Sequence, residues 1–167
     1  MLNGAVSDVR RTRTVAAETA AVWDLLADFG ALATWADGID HCCLLNGERH
    51  RQPIGWTRRI QIGRDVFLET VLEFEPRRAL AYEITGLPRG FSVVNRWNLE
   101  PGSGTTTVSL TGVSLTGVSP TRVSLTSTVR VSSALLRPVG ERALAAMMGR
   151  RSDSLLNSLA TAVEGKP

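Results

Sequence analysis

The sequence predicts an α+β fold, in which a curved antiparallel β-sheet of about seven strands wraps around a long C-terminal α-helix, with two short helices after the first strand. Apolar residues recur at steps of three and four over 138–164, as they do on one face of a helix. Most of 41–131 alternates between apolar and polar residues instead, which is typical of half-buried strands. A helix of about 26 residues is about 40 Å long, so its apolar face needs the broad cover that a sheet provides.

The C-terminal helix is the most strongly patterned stretch of the chain. Pro138 and Glu141 suit its first turn, where a missing N–H costs nothing and a negative charge meets the helix dipole. Because Met147 and Met148 are adjacent, we expect at most one of them to point fully at the sheet. The face predicted to meet the sheet contains Leu144, Met147, Met148, Arg151, Leu155, Leu159 and Val163.

The N-terminal part is predicted to hold the first strand and the two short helices. We expect 1–8 to be a flexible N-terminus and 9–164 to form a single domain. Weak alternation predicts a strand over 9–17, and Thr19 is placed to cap a helix over 20–28. A second helical turn is predicted over 32–36, followed by a strand over 39–45.

The middle of the chain is predicted to be a meander of hairpins with one apolar and one solvated face. Glu69 and Glu73 fall on the predicted solvated face, which argues against a mechanism that uses paired carboxylates. The rows predicted to face inward are Trp56, Arg58, Ile60 and Ile62; Val66, Leu68, Thr70, Leu72 and Phe74; Leu80, Tyr82 and Ile84; and Phe91, Val93, Asn95, Trp97 and Leu99.

A five-residue repeat interrupts this alternation. Val108, Val113, Val118 and Val123 each begin a unit of the form V-S-x-T-x. An odd period cannot keep the valines on one face of a regular strand. We therefore expect 105–122 to be a repeat-like insertion or an extended hairpin near 117–120. Clean alternation resumes over 123–131 and predicts the strand that leads into the long helix.

Composition excludes several classes of protein. The 167 residues are 43% hydrophobic, which suffices for one core, and no run approaches the ~20 apolar residues of a membrane span. We therefore expect a cytoplasmic protein. Cys42 and Cys43 are adjacent and are expected to be free thiols, because neighbours on a strand point to opposite faces. No metal site is expected because a second ligand cluster is lacking, and no cofactor is expected because no glycine-rich phosphate-binding motif is present.

Several short motifs together resemble a known family. They are Val22-Trp23, Leu26, Asp28-Phe29 and Trp35, then Gly55-Trp56, then the turn at 101–105. In this order of elements they resemble the polyketide cyclase/dehydrase and lipid-transport branch of the START/Bet v 1-like (SRPBCC) superfamily. The resemblance implies a helix-grip fold with a ligand cavity between the concave sheet and the long helix. The catalytic residues of family cyclases do not map onto this sequence, so no catalytic role is carried over.

If the inward rows are the walls of such a cavity, a few polar side chains lie among apolar ones, as in small-molecule sites. Arg58 either reaches the sheet rim or pairs with a core carboxylate, or it clamps an anionic group of a ligand. Tyr82 either packs with its hydroxyl at the surface or donates a proton or hydrogen bond, and Asn95 bonds backbone, water or a ligand carbonyl. Arg58 and Tyr82 are the catalytic candidates. The predicted ligand-binding set is Trp35, Trp56, Arg58, Thr70, Tyr82, Asn95, Trp97, Met147 and Met148.

Three functions follow from these features. The first is binding of a hydrophobic or aromatic, polyketide- or lipid-like molecule in the internal cavity. The second is a polyketide cyclase, aromatase or dehydratase that holds a poly-carbonyl chain folded in the same cavity. The third uses the net charge of +3, spread over scattered arginines, to bind an RNA or protein partner. A solvated surface is the simplest explanation of these arginines, so a nucleic-acid partner is not favoured, and a homodimer is compatible with the sequence.

Overall fold

A computed structural model of the chain describes residues 5–46, 52–103, 108–110, 113–115, 119–131 and 137–165. The strands are β1 (Ala5–Val15), β2 (His41–Leu44), β3 (Thr57–Ile62), β4 (Asp65–Glu75), β5 (Ala79–Thr85), β6 (Phe91–Pro101), β7 (Val108–Leu110), β8 (Val113–Leu115) and β9 (Thr121–Val131). The helices are α1 (Thr19–Ala27), a 3-10 helix (Phe29–Thr34) and α2 (Arg137–Glu164).

Within the described residues, seven strands form one antiparallel sheet in the order β1-β9-β6-β5-β4-β3-β2. Strands β2 to β6 follow one another as hairpins, and β9 inserts between β6 and β1. The predicted α+β fold, a curved antiparallel sheet around a long C-terminal helix, is confirmed.

Helix α2 packs its apolar side against the sheet, mainly on β1 and β9. Met148, Leu155 and Leu159 are buried on that side, whereas Met147 is 46% exposed. The prediction that at most one of the two adjacent methionines points fully inward is therefore confirmed. Hydrogen bonds also connect helix and sheet, as between Ser127 of β9 and Ser152 of α2.

The described side chains form two apolar core clusters. The larger one joins α1, the 3-10 helix, the inner faces of the sheet and the C-terminal half of α2, with Trp23 and Phe74 in edge-to-face contact at 4.9 Å. The smaller one gathers Val93, Val129 and Val131 around Met148. Members of both clusters line one cavity, which is described below.

The ends of several elements differ from their predicted positions. Strand β1 begins at Ala5, so residues 5–8 belong to the sheet and not to a flexible N-terminus. Thr19 lies inside α1 and does not cap it; its hydroxyl lies 3.1 Å from that of Thr121 in β9. The second short helix spans Phe29–Thr34 and not 32–36.

The face assignment of β4 is wrong in the prediction. Glu69 and Val71 are only 4% and 1% exposed, whereas Leu72 of the predicted inner row is 48% exposed. Apolar residues occur on both faces of this strand, so alternation alone selected the wrong row. A register shift between Val71 and Glu73 then brings Phe74 back to the core, as expected for one extra residue in a β-bulge.

The repeat region forms a hairpin, but earlier in the chain than predicted. β7 and β8 pair antiparallel as a separate two-stranded sheet, with Leu110 opposite Val113. The predicted hairpin position near 117–120 lies partly outside the described residues, and β9 begins at Thr121. From Val123 to Val131 the predicted inner row is buried throughout, which confirms that part of the pattern.

Candidate ligand cavity

A cavity of about 260 Å³ lies between the sheet and α2. Its rim includes the exposed side chains of Asp65 and Met147, so it opens to solvent. Most of the wall is apolar. The lining residues are Leu32 of the 3-10 helix; Ile60 and Ile62 of β3; Asp65, Phe67 and Glu69 of β4; Tyr82 and Ile84 of β5; Leu87 of the β5–β6 turn; Asn95 of β6; and Met147, Met148, Arg151 and Leu155 of α2.

A buried ion pair supports one side of the cavity. Arg58 and Glu69 are directly opposite each other on β3 and β4, and Arg58 Nε donates to Glu69 Oε2 at 2.7 Å. Arg58 Nη1 donates to the carbonyl of Phe29 at 2.9 Å, and the guanidinium lies 3.9 Å from the Phe29 ring centre. Both charged side chains are about 95% buried. The pair therefore satisfies Arg58 inside the protein and fixes the 3-10 helix on the sheet.

A chain of hydrogen bonds runs across the sheet beneath the cavity. Tyr82, Asn95 and Ser127 are cross-strand neighbours on β5, β6 and β9. Asn95 Nδ2 donates to Tyr82 Oη at 3.3 Å, Ser127 Oγ donates to Asn95 Oδ1 at 2.7 Å, and Ser127 Oγ lies 3.3 Å from Ser152 Oγ on α2. These hydrogen bonds hold the Tyr82 hydroxyl and the Asn95 amide in fixed positions at the cavity wall.

Burial changes the acidity of two groups that line the cavity. Burial raises the pKa of Tyr82, and the nearby Glu69 carboxylate raises it further. The pKa of Arg151 is lowered, chiefly because burial disfavours its charged form. Tyr82 is therefore a neutral hydroxyl at physiological pH, and Arg151 is a partly desolvated cation.

Four residues of the predicted ligand-binding set line the cavity: Tyr82, Asn95, Met147 and Met148. The other five do not. Thr70 is on the outer face of β4, where its hydroxyl lies 3.1 Å from that of Thr57. Arg58 lies behind the wall in its pair with Glu69, which is the core-carboxylate alternative of the prediction. Trp35, Trp56 and Trp97 pack in the larger apolar cluster.

Three charged lining residues, Asp65, Glu69 and Arg151, were missed as site candidates. Asp65 lies at the exposed rim. Glu69 was placed on the solvated face, and the signal that could have corrected this was its position opposite Arg58 in a short β3–β4 hairpin. Arg151 was assigned to the inward face of the C-terminal helix without a role. A charged residue within an apolar helical stripe is the signal that could have identified it.

For a metal site and for a membrane-spanning helix, the structure bears only on the described residues. Among the described residues, no group of histidine, cysteine and acidic side chains could hold a metal ion. His41 is exposed, and His50 lies outside the described residues. Cys42 and Cys43 are free thiols, as predicted. In the same part of the chain no helix is both long and apolar enough to span a bilayer.

The fold and the cavity define a helix-grip protein with an internal, mainly apolar pocket. The family model for polyketide cyclase/dehydrase and lipid transport matches residues 7–164, so the chain belongs to this family. The predicted resemblance to the START/Bet v 1-like superfamily is confirmed.

Solved structures show the same fold. The ZhuI aromatase/cyclase from Streptomyces sp. R1128 is 18% identical with a TM-score of 0.67, over 96% of this chain and 94% of that one. A START superfamily protein from Mycobacterium smegmatis is 20% identical with a TM-score of 0.66, over 94% and 97% of the chains. Ara h 8.0201 is 12% identical with a TM-score of 0.70, over 97% and 100%. No curated protein matches the sequence significantly.

Proposed function

We propose that this protein binds a hydrophobic, aromatic or lipid-like small molecule in the cavity between the sheet and α2. The family and the apolar lining support this proposal. A mostly apolar concave site with a few convergent polar groups is the usual form of a small-molecule pocket.

The observation that carries the proposal is a hydrogen-bond donor placed on the apolar wall. The Tyr82 hydroxyl accepts a hydrogen bond from Asn95, which leaves its own hydrogen to be donated. No side chain or carbonyl of the described residues accepts this hydrogen in a bond of normal geometry. Because the raised pKa keeps Tyr82 protonated, it is ready to donate to a carbonyl or hydroxyl oxygen of a ligand.

The cavity volume limits the size of the ligand. A cavity of about 150 Å³ holds a benzene ring, and this one is about 260 Å³. A body of about two fused rings, or a short acyl chain, therefore fits without rearrangement. The exposed rim at Met147 and Asp65 allows a longer molecule to extend into solvent.

The test uses a neutral fluorescent probe, N-phenylnaphthylamine, whose emission rises in apolar sites. Ile84→Trp fills the cavity from β5, and Thr85→Trp is the matched control because Thr85 is exposed on the same strand. We expect Ile84→Trp to weaken binding at least roughly tenfold, because the indole occupies the ligand's volume. Thr85→Trp should bind as the parent does.

Ile62→Trp, near the rim, serves as a second blocking variant if Ile84→Trp fails to fold by circular dichroism. A parent protein that leaves the probe dark would contradict the proposal. Equal binding by the folded blocking variants and the control would contradict it as well.

A second candidate is a cyclase or aromatase in the same cavity. The observation that favours it is that the Tyr82 donor and the Arg151 cation line one apolar cavity, an arrangement able to stabilise an enolate oxygen. Turnover of a poly-carbonyl thioester to a cyclised product, lost in Tyr82→Phe while probe binding persists, would support an enzyme. Binding without any product supports the binding function alone.

A further inference from the structure

Arg151 stands out among the arginines of the chain. It lies on the sheet-facing side of α2, between Met148 and Leu155, and all three line the cavity. It is half-buried, and its guanidinium lies close to Gly38, where an added Cβ would be 3.9 Å from Nη1. A charged group is thus placed in a largely apolar wall, where it loses much of its hydration.

Arg151 also has no partner among the residues that the structure describes. Within the described part of the chain, ion pairs join Arg11 to Asp153, Arg58 to Glu69, Arg78 to Glu75 and Arg96 to Glu73. Arg151 forms neither an ion pair nor a hydrogen bond with any described residue. Glu69 is near enough to raise its pKa, but this carboxylate is already bound by Arg58. The other acidic lining residue, Asp65, is exposed at the rim.

We infer that Arg151 binds an anionic oxygen group of the ligand, a carboxylate or an ionised enol or phenol, while the apolar walls hold the ligand's ring or chain. The inference rests on the proposed binding function and names the class of ligand: an amphiphilic organic acid. A partly desolvated guanidinium with free N–H donors is suited to such a group, because charge-assisted hydrogen bonds are about twice as strong as neutral ones.

The positions of the polar groups fit one ligand. Arg151 precedes Ser152, which is part of the hydrogen-bond chain through Ser127 and Asn95 to Tyr82. The cation and the Tyr82 donor therefore border the same cavity from helix and sheet. An acid with a second oxygen on its ring system, such as a hydroxylated aromatic acid, can meet both groups.

The experiment compares two ligands of equal shape, naphthoate and its neutral amide naphthamide, as competitors of N-phenylnaphthylamine at neutral pH. In the parent protein we expect naphthoate to bind roughly tenfold more tightly than naphthamide. In Arg151→Gln this ratio should fall to about one, with the binding of the neutral probe retained. Arg150→Gln is the matched control, because it removes the same charge from an exposed neighbour on α2. Arg151→Lys should restore part of the preference.

Failure of the inference can be told from failure of the proposed function. If the neutral probe binds normally but the naphthoate preference is unchanged in Arg151→Gln, the inference is overturned and the cavity function stands. If Arg151→Gln loses all ligands equally, the arginine is structural and the inference is overturned. If the parent binds neither probe nor competitor, the proposed function itself is overturned.

Discussion

Two arginines reach the interior from opposite sides of the cavity, and they differ in what they meet there. Arg58 of β3 is 4% exposed and has its charge balanced by Glu69, its hydrogen bonds satisfied and two aromatic rings against it. Arg151 of α2 is half-buried and has no partner among the described residues. The guanidinium of Arg58 is therefore occupied by interactions within the protein, whereas that of Arg151 is available to bind a ligand.

The two arginines differ in the role that we expect for them: Arg58 stabilises the fold, and Arg151 is a candidate for ligand binding. Removing a charge from water is costly, so a folded chain normally supplies a partner for it. Where the chain supplies one, as at Arg58, the side chain is occupied and is a poor candidate for ligand binding. Where the described residues supply none, as at Arg151, the missing partner is a reason to expect a ligand. Three predictions test this difference, from the largest expected effect to the smallest.

The largest effect is expected at the buried pair. Glu69→Ala leaves Arg58 charged and buried without its partner, which costs about 3–5 kcal/mol in comparable pairs. We therefore expect the free energy of unfolding in urea to fall by this amount. Arg151→Gln, measured in the same way, should lose little or no stability, because Arg151 has no partner among the described residues.

The double variant Arg58→Met with Glu69→Leu provides the control for this prediction. Replacing both members of a buried pair by apolar residues is often neutral or stabilising, so most of the lost stability should return. A Glu69→Ala protein as stable as its parent would show that Arg58 does not depend on this carboxylate.

The next effect concerns the face of β4 that brings Glu69 to Arg58. Val71, 1% exposed, is inward, and its neighbour Thr70 is on the outer face. Val71→Thr should cost about 1–3 kcal/mol, because it buries a hydroxyl among apolar groups. Thr70→Val should change the free energy of unfolding by less than about 0.5 kcal/mol. If urea unfolding showed that Thr70→Val is the more destabilising of the two substitutions, Thr70 rather than Val71 would face inward, as the sequence pattern predicted.

This strand shows where sequence patterns succeed and where they fail. In β6 and β9 one row is mainly apolar and the other mainly polar, so Val93, Trp97 and Leu125 were correctly predicted to face inward. In β4 both rows contain apolar residues, and the bulge after Val71 changes the phase within the strand. Periodicity cannot fix a face under these conditions; only the register against Arg58 and Tyr82 does so.

The candidate site was less predictable than the fold for a related reason. A fold depends on patterns spread over many residues, whereas a cavity depends on which inward side chains leave space. Trp97 and Tyr82 belong to neighbouring inward rows and both pack in the larger apolar cluster, yet of these two only Tyr82 lines the cavity. The pairing of Arg58 with Glu69 across two strands also becomes visible only with the register in place.

The smallest effect is expected from Tyr82, whose ring lies 5.0 Å from the Arg58 guanidinium and whose side chain lines the cavity with Arg151. Burial, followed by the charge of Glu69, raises the pKa of Tyr82 above its ordinary value of 10.0. Below that value both folded and unfolded chains are protonated, and Tyr82 adds no pH dependence. Above it the unfolded chain loses the proton first, so the free energy of unfolding falls as pH rises, by at most about 1.4 kcal/mol per pH unit, until the raised pKa is reached.

Two features of the chain make this measurement direct. Tyr82 is its single tyrosine, so the ultraviolet absorbance of tyrosinate reports this residue alone, and Lys166 is its only lysine. We expect the absorbance to rise at a higher pH in the folded protein than in urea. Tyr82→Phe should remove the part of the pH dependence of unfolding that Tyr82 causes. The part that remains includes the contribution of the Cys42 thiol, whose pKa burial also raises. Ionisation at the same pH in both states would show that the Tyr82 hydroxyl is solvated, and the donor on the cavity wall would then compete with water for any ligand.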